Sequence, residues 1–215
     1  MFTDLLALKE WKTDDIADFY NRLEIFSDEE CCDYTVLVAN ELIKKNDIHS
    51  YKVAEEILIN AIRNYFDVQD SNYKAKIYFS LGYLYEIQKK YINSFTYYEK
   101  YKLNNNIHEG ANSILLKIII LRDKFKYSEE LENLFLTASG EYNLGLRNDR
   151  IYEDIAEYLI LLNKNKFEKA EEKKKDLKAL VKYGQLPLLD VIIKKDSIFN
   201  ALSVPDELIK FVEKI

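Results

Sequence analysis

With 215 residues, 48% of them hydrophobic and 32% charged, the chain can bury about 70% of its unfolded surface without needing a disulfide or a metal to fold. Five glycines and two prolines leave too little turn chemistry for a sandwich or barrel, and no stretch alternates apolar and polar residues for long, so the class is all-α. The net charge of −6 is uneven: residues 1–70 hold 16 acids and 7 bases, whereas residues 71–215 hold 21 and 24. Such an acidic N-terminal third repels nucleic-acid phosphate, and it either steers a basic protein partner onto that surface or only keeps a tyrosine-rich chain soluble.

Residues 1–11 carry Asp4 and Glu10 and lack the basic start and long apolar run of a signal peptide. The most apolar stretch, Ile114 to Leu121, contains Lys117 and falls short of the roughly 20 residues that span a bilayer, so no membrane is implied and a cytosolic location is expected. Residues 1–26 form N-terminal helices, with one start at Thr13, ahead of Asp14 and Asp15. A second start lies at Ser27, where Ser27 and Glu30 make a capping box. Acids in a first helical turn need no metal or catalytic explanation. Cys31 and Cys32 are adjacent on one helix and point to different sides, which suits packing and not pairing. Helices are expected over Asp28–Lys45 and Tyr51–Phe66, followed by a cap at Asp70, Ser71 and Asn72.

From Tyr73 to Ile87, the residues Ile77, Tyr78, Leu81, Leu84 and Tyr85 recur at three and four, one face of an amphipathic helix. Gly82 inside it costs roughly 1 kcal/mol against alanine, which points to the close approach of a neighbouring helix. After the polar corner at Gln88, Lys89 and Lys90, the residues Tyr91, Ser94, Phe95, Tyr98 and Tyr101 give a second helix folded back on the first. The pair resembles a tetratricopeptide repeat: Tyr78, Leu81, Gly82, Tyr85, Tyr91 and Tyr98 fit the family pattern. Ser94 and Tyr101 replace its two alanines, and Asn106 stands in place of its proline. Tyr91 has counterparts at Tyr51, Tyr127 and Phe167, close to the period of helical hairpins. The Tyr51 copy continues with Ala54, Leu58 and Ala61 and the Phe167 copy with Ala170 and Leu177, while the Tyr127 copy is degenerate and shifted by about one position.

After the polar corner at residues 104–106, a helix is expected from His108 to Phe125, the Tyr127 copy ends at Gly140, and residues 141–148 form the longest loop. Asp149 opens the fourth copy, whose second helix carries Lys173, Lys174 and Lys175 as a solvated face with an i,i+4 pair between Glu171 and Lys175, and Gly184 ends it. Residues 184–215 are a capping tail. It has a helix through Val191 to Ile193, a link at Asp196 to Phe199, and a last helix opened by Ser203 with Pro205 in its first turn. The expectation is a single domain over residues 1–215: a right-handed α-solenoid of about four tetratricopeptide-like hairpins over residues 27–183, closed by terminal capping helices.

No chemistry accompanies this scaffold. His49 and His108 do not stand in a metal spacing, residues 140–145 lack the lysine and hydroxyl residue of a phosphate loop, and neither a nucleotide fingerprint nor a hydrolase elbow occurs. No catalytic residue, metal or cofactor is therefore assigned. The resemblance implies a concave groove lined by the first helices of successive repeats. Anchored on Gly82, the groove positions are Phe79, Ser80, Tyr83 and Glu86, then Asn112, Ile119 and Arg122, then Tyr152, Ile155 and Leu159, with Asn40 and Ile43 in the first copy. Phe79 and Tyr83 lead, because aromatic side chains dominate interface energetics. The expected function is binding of a protein or peptide partner. Its most specific form is an immunity-type protein that neutralises a cognate toxin; the alternatives are a peptide-sensing or scaffolding regulator, or an enzyme with an unrecognised site.

Overall fold

A computed structural model describes residues 2–64, 71–104, 111–138, 150–184 and 206–215. Among the described residues there are eleven helices and no strand, and they fall into two compact units, Met1–Ala111 and Asn112–Ile215. The expected helix through Val191 to Ile193, the loop at 141–148, and the caps at Asp70 and Ser203 lie outside the described residues.

In the first unit, α1 (Thr3–Leu6) and α2 (Thr13–Leu23) fold an aromatic layer onto α3 (Asp28–Lys44). Phe2, Trp11 and Phe19 are buried, with Phe2 tilted against Phe19 at 5.3 Å and Trp11 edge-on to it at 6.0 Å. Four polar contacts hold the layer. Arg22 pairs with Asp4 and Asp18, each at 2.7 Å, and its guanidinium pulls the Asp4 carboxyl down to about 2. Lys45 donates to the Leu8 carbonyl, and His49 is half-buried with Nε2 2.6 Å from the Trp11 carbonyl oxygen. The start of α3 follows the capping box: Glu30 accepts from the Ser27 amide at 3.0 Å, and Ser27 Oγ accepts from the Glu30 amide at 3.4 Å.

The hairpins follow. α3 pairs with α4 (Ile48–Asn64), and α5 (Ser71–Ile87) with α6 (Tyr91–Asn104); α5 also packs on both α3 and α4. α4 begins three residues before Tyr51 because Asp47 caps it, accepting from the Ser50 amide at 2.8 Å and the Ser50 hydroxyl at 2.6 Å. Gly82 sits where its sequence position suggested. A Cβ there would lie 2.7 to 2.9 Å from three carbons of the fully buried Tyr98 ring, and Ser94 Oγ donates to the Gly82 carbonyl at 2.9 Å.

Three corners share one closure. Lys89, Lys124 and Asn165 adopt left-handed backbone, and the next amide in each case bonds five residues back: Lys90 to Tyr85, Phe125 to Ile120 and Lys166 to Leu161, all at 2.9 Å. This is the helix C-terminus in which a left-handed residue lets the chain satisfy orphan carbonyls. At the second of these corners Phe125 is also left-handed (φ 60°), an additional residue that accounts for the one-position shift of Tyr127.

Two buried groups in the first core yield predictions. Thr35 Oγ1 is buried without a hydrogen-bond partner. Thr35→Val, which keeps the shape and removes the stranded hydroxyl, should stabilise the protein by about 1 kcal/mol, a rise of about 2–4 °C in Tm by calorimetry. Cys31 Sγ donates to the Leu23 carbonyl at 3.3 Å, and burial, with the neighbouring Cys31 and acids, pushes the Cys32 thiol up to about 11. At pH 8 roughly one Cys32 thiol in a thousand is then ionised. Alkylation of Cys32 should therefore track global unfolding in denaturant, and fast labelling of native protein would contradict its burial.

In the second unit, α7 (Ala111–Arg122) is buried around nearly its whole circumference: Leu115, Leu116, Ile118, Ile119, Ile120 and Leu121 are all buried, and so are the polar Asn112, Ser113 and Lys117. Such a helix belongs in an interior. α8 (Glu129–Ala138) packs on α9 (Arg150–Asn163), and α9 pairs with α10 (Phe167–Gly184). The lysine run of α10 is less solvated than expected. Lys173 reaches Asp154 at 3.0 Å and Glu157 at 2.6 Å on α9, and Glu171 pairs with Lys174 at 3.0 Å in place of Lys175. The last helix, α11 (Asp206–Lys214), lies on α10, with Leu208 and Val212 buried and Phe211 stacked on Phe125 at 4.6 Å.

Candidate functional site

The surface of the first unit is decided by which arc of α5 its neighbours leave open. Ile77, Tyr78, Leu81, Leu84 and Tyr85 turn inward, and Gly82 meets Tyr98 of α6. Toward α3, Lys76 pairs with Asp33 at 2.7 Å and the Tyr73 hydroxyl donates to Glu29 at 3.4 Å. What remains open is the row Phe79, Tyr83 and Glu86 at i, i+4 and i+7, all half-buried.

Contacts with α6 fix Phe79 and Glu86 in this row. Phe79 stands edge-on to Tyr98 at 5.7 Å and to Tyr101 at 5.3 Å, both on α6. The Tyr98 hydroxyl donates to Glu86 Oε2 at 3.0 Å, and burial with the Glu86 charge raises its pKa well above the ordinary tyrosine value. Burial raises Tyr83 likewise, with Glu86 and Tyr51 adding to the effect. Tyr83 and Tyr98 are therefore neutral hydroxyls at physiological pH, and Glu86 is held by one of them. On α3 the exposed Leu37 and the half-buried Asn40 lie at neighbouring turns. The result is a face with one fixed aromatic ring, the half-buried Tyr83 and an oriented carboxylate. Preset geometry lowers the entropy cost of binding.

The other groove positions divide. Ile43 and Ser80 are buried in the first unit. In the second, Asn112, Ile119, Tyr152, Ile155 and Leu159 are all buried, since α7 is enclosed on every side and α9 turns these residues inward. Around them is a polar seam: Ser113 donates to Glu153 at 2.9 Å, and the Lys117 ammonium lies 5.9 Å from the Tyr152 ring centroid. Arg122 is half-buried and tied to Asp123 at 2.8 Å and Glu130 at 2.6 Å, and these carboxylates hold its guanidinium charged. The open positions are accordingly Asn40, Phe79, Tyr83 and Glu86, joined by Tyr101, whose role only the folded hairpin reveals.

Opposite this row, α5 turns Tyr78 and Tyr85 toward α4 and α6. Tyr85 stacks on Tyr97 at 5.4 Å with 17° between planes and donates to Glu55 of α4 at 2.6 Å, while Lys100 lies over the rings of both Tyr97 and Tyr78. Periodicity alone could have paired Tyr85 with Tyr97, but not with Glu55, which depends on how α4 docks.

Among the described residues no group of three or more His, Cys, Asp and Glu side chains is placed to hold a metal ion, and no helix is long and apolar enough to cross a membrane. No family model, curated protein or solved structure matches the chain.

Proposed function

We propose that the chain is a protein-binding module without turnover, which holds a basic partner across the α3 and α5 face of its first unit. The observation that carries this reading is the row Phe79, Tyr83 and Glu86, two aromatics and a carboxylate left half-exposed by packing, of which Phe79 and Glu86 are fixed by Tyr98 and Tyr101. The excess of 16 acids over 7 bases in residues 1–70 supports electrostatic steering of a basic protein onto it. The most specific form of the reading is an immunity-type protein that occludes a cognate toxin in the cytoplasm. The stacking of α3, α4, α5 and α6, with the shared corner closure, supports a tetratricopeptide-like solenoid as the scaffold.

The packing of Phe79 guides the test. Truncating it would loosen Tyr98 and Tyr101, so Phe79→Arg is the better variant: its stem can cover the same rings while its charge opposes a basic partner. A tagged chain should retain one stoichiometric basic protein from native lysate, more firmly at low salt than at high. Phe79→Arg should weaken that retention at least about 30-fold, the scale of an interface hot spot, whereas Ile92→Arg on exposed α6 should not. Equal loss in both variants, or retention of short peptides only, would overturn the reading.

A further inference from the structure

We infer that α11 is an exchangeable element, and that the site it fills in the second unit also accepts the α11 of a second copy of the chain. Leu208, Phe211 and Val212 carry the inward side of this amphipathic helix: the first and last are buried and Phe211 is half-buried, while Lys210, Glu213 and Lys214 are exposed on the other side. Three elements make the site. α10 packs on the helix, Phe125 from the corner after α7 stacks on Phe211 at 4.6 Å with 13° between ring planes, and Tyr158 of α9 meets the same ring edge-on at 6.3 Å. The site lies in the second unit and does not depend on what binds to α5.

The corner is strained where α11 meets it. After α5 and α9 a single residue, Lys89 or Asn165, is left-handed and the next is not, whereas after α7 both Lys124 (φ 53°) and Phe125 (φ 60°) are. A bulky aromatic is unfavourable in that conformation and persists only where its surroundings hold it. The stack on Phe211 helps to hold Phe125 there, whichever copy supplies that ring. Nine residues are too few for α11 to be ordered without docking. In sequence, 21 residues (185–205) separate it from α10, a length that extends to about 70 Å at most and can reach a neighbouring chain. α11 therefore gains the same contacts from its own unit as from that of another copy. Exchange of an identical element is a low-cost route to association, because no new interface has to be made.

The test is complementation between two full-length variants. Leu208→Ala weakens the helix and leaves the site, whereas Phe125→Gly leaves the helix and removes the receiving ring, with glycine suited to the left-handed backbone. Mixed at about 0.1 mM each, the two should form a 1:1 complex in sedimentation, at least about tenfold tighter than the self-association of either alone. The Tyr158 ring signals of the Leu208→Ala chain should move toward their wild-type positions in that complex. A peptide of Asp206 to Ile215 should reproduce this movement, and the same peptide with Phe211→Ala should not. Phe211→Ala, which spares the buried Leu208, replaces Leu208→Ala in the pair if that variant loosens the whole unit. No mixed complex with either helix-deficient variant would overturn the inference. So would self-association of one variant alone as strong as that of the mixed pair, which marks an exposed apolar surface and not exchange.

Discussion

Gly82→Ala should destabilise the protein by about 2 kcal/mol, although the same exchange in an exposed helix would be favourable by roughly 1 kcal/mol. A Cβ at Gly82 would stand 2.7 Å from Tyr98 Cδ1, 2.8 Å from Cε1 and 2.9 Å from Cγ, well inside van der Waals contact. The far end of a long side chain could swing away, but this ring cannot. Tyr98 is fully enclosed, its hydroxyl is bonded to Glu86, and Phe79 lies edge-on against it. Relief must come from moving α6 away from α5, which stretches the bond from Ser94 Oγ to the Gly82 carbonyl. Urea unfolding of the wild type, Gly82→Ala, Tyr98→Leu and the double variant checks this. The two changes should be coupled, with Tyr98→Leu costing less in the Gly82→Ala background than in the wild type. A gain of stability in Gly82→Ala would show that the helices approach less closely than the glycine implies.

That position also marks what the sequence could convey. A glycine in the interior of a helix has few explanations, so Gly82 pointed to a close crossing before Tyr98 was known to form it. The capping box at Ser27 is legible for the same reason, a local pattern with a local cause, and so are the helix starts at Tyr91 and Phe167. The start of α4 was not. Tyr51 has the spacing of a helix opener, but Asp47 captures the amide and hydroxyl of Ser50 and begins the helix three residues earlier. Groove positions in the second unit were harder still. Transfer from Gly82 treats every first helix as equally amphipathic, whereas α7 is buried on nearly every side, Asn112 included, and α9 turns Tyr152 inward. The Tyr85 to Glu55 contact spans thirty residues and depends on the docking of α4, so no spacing rule announces it.

The closing helix carries the other large effect. α11 has nine residues, shorter than the roughly 12–15 that give an isolated helix even marginal stability, so its order must come from docking. Leu208 is fully buried and Val212 nearly so, while Phe211 stacks on Phe125 at 4.6 Å and meets Tyr158 edge-on at 6.3 Å. α11 thereby covers side chains from the corner after α7, from α9 and from α10. Leu208→Ala should cost 2–5 kcal/mol by the general scale for buried leucine, toward the upper end if the whole helix detaches. Hydrogen exchange distinguishes a detached helix from a local cavity. On detachment, amides of α9, α10 and α11 should exchange faster while those of α3 to α6 in the first unit keep their protection, and the exposed Lys210→Ala should change neither. A loss below about 0.5 kcal/mol, the range of ordinary surface substitutions, with α9 and α10 unaltered, would mean that α11 rests on the unit without holding it together.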